Sequence, residues 1–254
     1  MHFTKMQGLG NDYLYVYAEK LPDNAPALSV RLSDRHFGPG ADGMIWILPS
    51  QTADFRMRIF NADGSEAKMC GNGIRCVGKY VYDMGLTDKT ELVIETGAGL
   101  RRLWLNVEDG RAVSAAVDMG TARVEARPGG GDLVDVGNPH LVCFVSDAEE
   151  APLTDLGPAL CASVPGGINV EFVQVLGPES LRMRVWERGS GVTLACGTGA
   201  CASAAAAVSR GFCLAGKPIE VRLDGGTLRI TVGQDGSVRM EGSAAFVYEG
   251  EIEG

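Results

Sequence analysis

The sequence contains a pattern that occurs twice, and this repeat limits the folds open to the chain. The motif Cys-Gly-x-Gly begins at Cys70 and returns at Cys196, 126 residues later. At the same spacing, segment 57–60 (MRIF) matches segment 183–186 (MRVW). Further matches follow in the same order, some with shifts of one to four residues: Gly85 with Gly211, Gly10-Asn11 with Gly137-Asn138, and Gly120-Thr121-Ala122 with Gly242-Ser243-Ala244. The chain is therefore predicted to hold two copies of one structural unit.

Each copy shows the pattern of a sheet with one prominent helix. Runs such as FRMRIF, ELVIET, LRMRVW and TLRITV alternate apolar and polar residues, which is typical of strands. A helical pattern follows each Cys-Gly-x-Gly motif and ends at Gly85 or Gly211, residues suited to a left-handed helix end. We expect an α+β fold of two pseudo-symmetric domains that arose by internal duplication. In each domain a mostly antiparallel sheet wraps around a central helix.

Composition narrows the class of protein. The chain has 254 residues, 45% of them hydrophobic, which is enough to bury a core, and its net charge is −9. An acidic chain without a Lys/Arg-rich run favours neither nucleic-acid nor membrane-surface binding. The first residues lack a signal-peptide pattern and the cysteine count of seven is odd, so we expect a cytoplasmic protein with reduced thiols. No Cys-x-x-Cys pair is present, so we expect no zinc site.

The two cysteines that open the motifs are candidate reactive groups. Cys70 and Cys196 are each predicted to lie where a loop turns into a helix. The partly positive helix start favours a thiolate and predicts a lowered thiol pKa, while its unpaired amides can hold a carboxylate. A single motif of this kind is also compatible with a glycine-rich turn holding a buried cysteine. Two copies in one duplicated frame favour function.

Two such helix starts facing one another across a cleft would suit inversion of a stereocentre. A small acid between them would place its carboxylate on both sets of amides and one sulfur on each face of its α-carbon. One thiolate would remove the α-proton and the opposite thiol would return a proton to the other face. The sequence therefore predicts a two-base epimerisation or racemisation by Cys70 and Cys196.

The sequence also resembles the diaminopimelate epimerase family. The residues that carry the resemblance run through the whole chain in order: GNDY (10–13), DRHFGPGADG (34–43), FNADGSEAKMCGNGIRC (60–76), GNPH (137–140), INVEFV (168–173) and WERGSGVTLACGTGACA (186–202). The resemblance implies a cofactor-independent isomerase that converts LL- to meso-2,6-diaminopimelate for lysine and peptidoglycan precursors. It also implies a small-molecule substrate, no metal, and a homodimer.

Site residues follow from the resemblance by position. Cys70 and Cys196 match the catalytic pair, and His140 and Glu187 match residues that tune the thiols. Glu187 also matches a substrate contact. The other positions that match substrate contacts are Asn11, Asn61, Gly71, Asn72, Asn138, Asn169, Arg188, Gly197 and Thr198.

The resemblance also implies that the C-terminal strand returns to the first domain. We expect one epimerase domain, carrying Cys70, from residues 1–114 plus 243–254. A second, carrying Cys196, is expected from residues 115–242, with a loop at 127–132 near the boundary. Gly43 departs from the pattern, because some family members have a contacting glutamine there.

Three other functions remain open at the level of sequence. A proline or hydroxyproline racemase also uses paired cysteines, although a clamp of Asn61, Asn169 and Arg188 suits a substrate with a second polar end. A thiol redox protein or a metal-binding protein is an alternative function that involves no racemisation. A pyridoxal-phosphate racemase is less favoured, since no lysine lies in a recognisable cofactor setting.

Overall fold

The computed structural model describes residues 1–127 and 130–252. The chain divides into two compact units, Met1–Val117 with Gly242–Gly254, and Asp118–Glu241. We call them the first and the second unit. Pro128 and Gly129, inside the predicted 127–132 loop, and Glu253 and Gly254, at the end of the predicted returning segment, lie outside the described residues.

The first unit begins with a strand hairpin and alternates strands with two helices. Its elements are β1 (His2–Gly8), β2 (Asn11–Tyr17), α1 (Ala25–Ser33), β3 (Gly43–Leu48), β4 (Phe55–Asn61), β5 (Glu66–Ala67), α2 (Gly71–Asp83), β6 (Glu91–Thr96), β7 (Gly99–Glu108) and β8 (Arg111–Thr121), with the boundary between the units inside β8.

The second unit repeats this order, and a last strand belongs to the first unit. The elements are β9 (Arg123–Glu125), β10 (Asp132–Asp135), β11 (Pro139–Phe144), α3 (Leu153–Ala162), β12 (Asn169–Gly177), β13 (Ser180–Glu187), β14 (Gly191–Val192), α4 (Gly197–Ser209), β15 (Pro218–Leu223), β16 (Gly226–Val232), β17 (Ser237–Ser243) and finally β18 (Ala245–Glu251).

The strands pair in the same way in both units, as expected if the two units are copies of one structural unit. The parallel pairs β2–β3 and β4–β6 have the counterparts β11–β12 and β13–β15. The antiparallel pairs β3–β4 and β6–β7 have the counterparts β12–β13 and β15–β16. In the first unit, β18 pairs antiparallel with β1. Helices α2 and α4 begin and end 126 residues apart, so the duplication holds without a gap from each cysteine to the end of its helix.

The helix that follows each motif lies at the centre of its unit. Ten of the thirteen residues of α2 are buried, and likewise ten of the thirteen of α4. Six alanines in α4 let seven strands approach that helix closely. Both helices end as predicted, with Gly85 at φ +71° and Gly211 at φ +74°. The predicted α+β fold of sheets wrapped around a central helix is confirmed.

Two further helices, α1 and α3, were not predicted from the sequence. They have nine and ten residues and amphipathic patterns far weaker than that of α2. Pro158 lies inside α3, where a sequence pattern would end a helix. Each connects a parallel strand pair, so the topology rather than local sequence places them. Among the described residues, no helix is long and apolar enough to cross a membrane.

Candidate active site

The Cys70 half-site is built on the start of α2. Cys70 is the residue before the first helical turn, in extended conformation, and its Sγ accepts a hydrogen bond from the Gly73 amide at 3.3 Å. This is the position at which a side chain normally caps a helix, here with sulfur as the acceptor. The carbonyl of Cys70 accepts from the Ile74 amide, so the cysteine is fixed at both ends.

Asn11 reaches the Cys70 sulfur from the β1–β2 hairpin. The turn before it has positive φ at Leu9 and Gly10, which directs Asn11 into the start of β2. The Cys70 thiol donates to Asn11 Oδ1 at 3.4 Å, and Asn11 Nδ2 donates to Asp42 Oδ2 at 2.8 Å. Because a carboxylate only accepts, Asp42 fixes the amide with its oxygen toward the sulfur. Arg35 in turn donates to Asp42 Oδ1 at 3.0 Å.

Arg75 lies fully buried beneath the first turn of α2. Its guanidinium donates to the Gly71 carbonyl at 3.1 Å, to Asn72 Oδ1 at 3.0 Å and to the Ser243 carbonyl at 3.2 Å. It therefore holds the Asn72 side chain against the buried guanidinium. Nothing in the sequence pattern marked Arg75, because its role depends on Ser243, 168 residues away in the chain.

The Cys196 half-site repeats the same backbone at the start of α4. The Gly199 amide donates to Cys196 Sγ at 3.3 Å, which equals the distance in the first unit. Thr198 Oγ1 lies 3.6 Å from the sulfur, and Asn138 Nδ2 donates to Thr198 Oγ1 at 3.4 Å. Asn138 follows the turn between β10 and β11, the counterpart of the hairpin that carries Asn11.

Glu187 ends β13 in the half-site of Cys196. Thr193 donates a hydrogen bond to its carboxylate, and burial raises the Glu187 pKa, while hydrogen bonds from Thr193 and Cys196 lower it in part. Its repeat counterpart is Asn61 at the end of β4, whose Nδ2 donates to Ser65 Oγ at 3.0 Å. One unit therefore has a carboxylate where the other has a neutral amide.

His140 and Glu171 form a buried pair in the second unit. The ring Nδ1 lies 2.6 Å from Glu171 Oε1, and both side chains are fully shielded from solvent. Glu171 was not among the predicted site residues. The available signal was a charged residue inside the apolar run NVEFV, since a strand buried on both faces rarely carries a carboxylate without a partner.

Arg188 and Asn169 are held together at the end of the β12–β13 pair. Asn169 Oδ1 accepts from the Arg188 amide at 2.9 Å, and Arg188 Nη1 donates to the Gly166 carbonyl at 2.9 Å. The Arg188 side chain packs over Gly167, where a Cβ would lie 2.7 Å from Arg188 Cδ. The guanidinium is exposed and in a defined position.

The prediction of lowered thiol pKa values is wrong for both cysteines. Burial raises the pKa of Cys70, and the Gly73 and Asn72 amides, Arg75 and the Tyr13 hydroxyl offset this only in part. The pKa of Cys196 is raised well above its usual value by burial and then by the nearby charges of two carboxylates, Glu187 and Glu171. Desolvation of a thiolate therefore outweighs the helix start in this protein.

The residues around Gly43 leave no room for a side chain at this position. A Cβ at Gly43 would lie 2.2 Å from the Phe60 carbonyl oxygen and 2.9 Å from the Tyr13 ring. A glutamine would therefore require the β3–β4 backbone to shift. Asn169 occupies the corresponding position at the start of β12. Among residues 1–127 and 130–252, no group of three or more His, Cys, Asp or Glu side chains could hold a metal ion.

Comparison with known proteins gives a family-model match over most of the chain and relatives of similar length. The family model for diaminopimelate epimerase matches residues 3–125 and 133–247. A diaminopimelate epimerase from Bacteroides thetaiotaomicron is 49% identical over 263 residues, covering 99% of this chain and 98% of the relative. A Bacillus anthracis phenazine biosynthesis protein of the PhzF family has a similar fold, with a TM-score of 0.82 at 16% identity, covering 100% of this chain and 99% of that one. A hydroxyproline epimerase from Agrobacterium vitis, with bound trans-4-hydroxy-L-proline, has a TM-score of 0.69 at 17% identity, covering 99% and 90%.

Proposed function

The chain belongs to the diaminopimelate epimerase family, and for this isomerase, which converts LL- to meso-diaminopimelate in lysine biosynthesis, we propose a two-base mechanism carried by Cys70 and Cys196. The observation that supports it best is the identical setting of the two sulfurs, each before a central helix and each accepting one amide hydrogen bond at 3.3 Å. Two equivalent sites suit a reaction that treats both faces of one carbon alike.

The chemical steps need only the protein's own groups. One cysteine, as thiolate, takes the α-proton, and the electron pair of the C–H bond passes to the α-carbon and its carboxylate. The other cysteine, as thiol, gives its proton to the opposite face of that carbon. The stereocentre is inverted and the two cysteines have exchanged protonation states, so the reverse reaction runs with the roles reversed.

The two helix starts would hold the reacting carboxylate. The first amides of an α-helix have no carbonyl partner within the helix, and the helix dipole favours an anion there. We assign this role to Gly71, Asn72, Gly197 and Thr198. Charge that develops on the carboxylate as the proton leaves would be stabilised by the same donors.

The remaining predicted residues would recognise the rest of the substrate. Asn11 and Asn138 supply amides beside the two half-sites, where the α-ammonium group needs acceptors. Arg188, fixed against Gly166, suits the distant carboxylate because its planar fork can bind both oxygens. Asn61, Asn169 and Glu187 complete the polar contacts.

Glu187 and His140 would tune proton transfer at Cys196. Glu187 shares a hydrogen bond with Cys196, and burial raises its pKa. The raised pKa makes the ionised Glu187 carboxylate a stronger base than an exposed carboxylate, so it can accept the Cys196 proton when the substrate needs a base on that side. We assign His140 a supporting part in the same unit.

We further propose that the two predicted domains, 1–114 with 243–254 and 115–242, each contribute one catalytic cysteine. A cytoplasmic location would keep both thiols reduced, and a homodimer is the oligomeric state that sedimentation should find.

Replacing either cysteine by alanine tests the mechanism. Cys70→Ala and Cys196→Ala should each reduce epimerisation by at least about a thousandfold, because each removes an acid–base group. Serine variants should still release fluoride from 3-fluoro-diaminopimelate, since this elimination needs one base only. Near wild-type turnover by either alanine variant would overturn the two-base assignment.

A panel of amino acids distinguishes the rival racemase. α-Hydrogen exchange in heavy water should occur with diaminopimelate and not with proline or hydroxyproline, because these lack a second polar end for Arg188. Exchange of proline at a comparable rate would favour the rival, and a visible absorption band in the purified protein would indicate pyridoxal phosphate.

A further inference from the structure

Glu171 is a carboxyl group buried inside a strand that is otherwise apolar. Its neighbours Val170, Phe172 and Val173 on β12 are buried as well. A buried carboxylate is costly unless it is hydrogen-bonded, and replacing it by an apolar residue often stabilises a protein. Its presence therefore needs a reason other than stability.

The first contact of Glu171 is with His140 on the neighbouring parallel strand. The 2.6 Å separation of Oε1 and Nδ1, with both side chains fully buried, places the ring proton on Nδ1 when the carboxyl is ionised. His140 Nε2 and Glu171 Oε2 are buried and have no hydrogen-bond partner among the protein atoms. The carboxylate thus fixes both the orientation and the tautomer of the ring.

The second contact is with the first turn of α4. A Cβ placed on Gly199 would lie 2.8 Å from Glu171 Oε1 and 3.2 Å from Cys196 Sγ. The carboxylate and the sulfur therefore approach the same point at the start of the helix. Only a glycine at position 199 leaves room for both.

The first unit shows what the fold alone requires at this place. The residue 126 positions before Glu171 is Ile45, and a Cβ on Gly73 would lie 2.6 Å from Ile45 Cδ1. The same slot beneath the same helix turn is therefore apolar in one copy and charged in the other. Because an apolar residue fills it well, the carboxylate in the second unit is not a packing requirement.

We propose that Glu171 is a positioning residue for proton transfer at Cys196, acting through His140. This rests on the proposed two-base function. His140 on β11 lies against Glu171, and the Glu171 charge also acts on Glu187 of β13, on Cys196 at the start of α4, and on Cys143, which points to the other face of β11. Glu171 holds the imidazole in one tautomer within this cluster, and Glu187 exchanges the proton with the sulfur.

Serine backgrounds isolate one cysteine at a time. Fluoride release from 3-fluoro-diaminopimelate breaks the α C–H bond, sends the proton to one sulfur, forms a C=C bond and expels fluoride. In the Cys70→Ser background, where Cys196 is the base, Glu171→Gln should lower kcat for this elimination about tenfold with little change in KM. In the Cys196→Ser background the same change should have an effect of less than about twofold.

Controls separate positioning from folding. Glu220→Gln, on the exposed face of β15, should change neither background. His140→Gln should lower elimination in the Cys70→Ser background, and adding Glu171→Gln should then lower it little further, because the carboxylate acts through the ring. A loss of similar size in both backgrounds would reduce Glu171 to a structural role, and unchanged elimination in the Cys70→Ser background would also overturn the proposal.

A second measurement needs no turnover. In the otherwise native chain, Glu171→Gln should move the pH profile of Cys196 alkylation to lower pH and leave that of Cys70 unchanged. If neither serine variant released fluoride at all, the two-base function would fail. The alkylation profiles would still decide whether Glu171 acts on Cys196, and unchanged profiles would count against it.

Discussion

The two half-sites share one backbone and differ in their charges. In both, a sulfur precedes a central helix and accepts an amide hydrogen bond of the same length. The residues around the sulfurs differ at matched positions, with Tyr13, Ile45 and Asn61 in the first unit against His140, Glu171 and Glu187 in the second. Cys70 thus has neutral neighbours and a buried guanidinium below it, whereas Cys196 has two carboxylates.

The comparison shows that the two copies have kept the same backbone at the helix starts while the surrounding side chains have changed. Most substitutions leave a backbone amide in place, and the backbone of the two helix starts is the same in both copies. Side chains can diverge, and a two-base reaction needs its thiols in opposite protonation states. A pair of chemically identical halves would not favour one state over the other.

Among variants that should affect the two half-sites unequally, the largest effect is expected from adding one methyl group at each helix start. Gly199→Ala places a Cβ against a buried carboxylate, while Gly73→Ala meets the flexible end of Ile45. We expect kcat to fall about a hundredfold for Gly199→Ala and about tenfold for Gly73→Ala, because Glu171 Oε1 is held 2.6 Å from His140 Nδ1, whereas Ile45 Cδ1 is an apolar end that can change rotamer. Equal losses would show that the charge difference does not matter at these positions.

The alkylation rates of Cys70 and Cys196 should also differ, by a smaller factor. Cys70 should alkylate faster than Cys196 near pH 8, because two carboxylates raise the pKa of Cys196 further and because that sulfur is more buried. Glu187→Gln removes one of these charges and should speed alkylation at Cys196 by several-fold without affecting Cys70. Peptide mass spectrometry measures both sites in one sample. Unchanged or slower alkylation of Cys196 would contradict the effect of the Glu187 charge on the Cys196 pKa.

The smallest effect concerns stability at the far ends of the two central helices. The second unit has Arg210 at the end of α4, paired with the buried Asp132, where the first has Met84 at the end of α2. Asp132→Asn should lower the free energy of unfolding by about 2 kcal/mol at pH 7. Glu125→Gln, which breaks an exposed pair with Arg127, should cost at most about 0.5 kcal/mol.

The pH dependence of this pair has a definite sign. The hydrogen bond from Arg210 lowers the pKa of Asp132 below its usual 3.8, so the stabilisation is present above that pH and is lost as the pH falls through the lowered pKa. Urea unfolding at pH 7 and pH 3 should show the Asp132→Asn difference shrinking in acid. A difference that persists unchanged would assign the effect to packing.

Most of the fold followed from residue patterns. The strands at β4, β6 and β13 lie within a residue of their predicted runs, because alternation reports one buried face directly. Helices α1 and α3 escaped prediction because they are short and weakly patterned. They form because a parallel strand pair requires a crossover, which is a property of the sheet.

The residues of the candidate site also fall into those that the sequence pattern predicts and those that it does not. Cys70 and Cys196 could be found because glycine spacing and a repeat are local patterns. Arg75 and Asp42 could not, because each acts on a residue brought to it by folding, Ser243 and Asn11 respectively. Glu171 could be noticed as a charge in an apolar run, but its partner His140 is known only from the fold.

Residue spacing alone predicted the duplicated unit and the two helix starts, and the motifs carried the resemblance to the family. Short-range spacing encodes these features, since a glycine's freedom and a strand's alternation depend on near neighbours. The direction in which the two thiol pKa values shift depends on the fold, because a pKa depends on burial and on charges contributed by distant strands. For that reason the helix starts alone gave the wrong direction for both cysteines, and the buried carboxylates near Cys196 set the two half-sites apart.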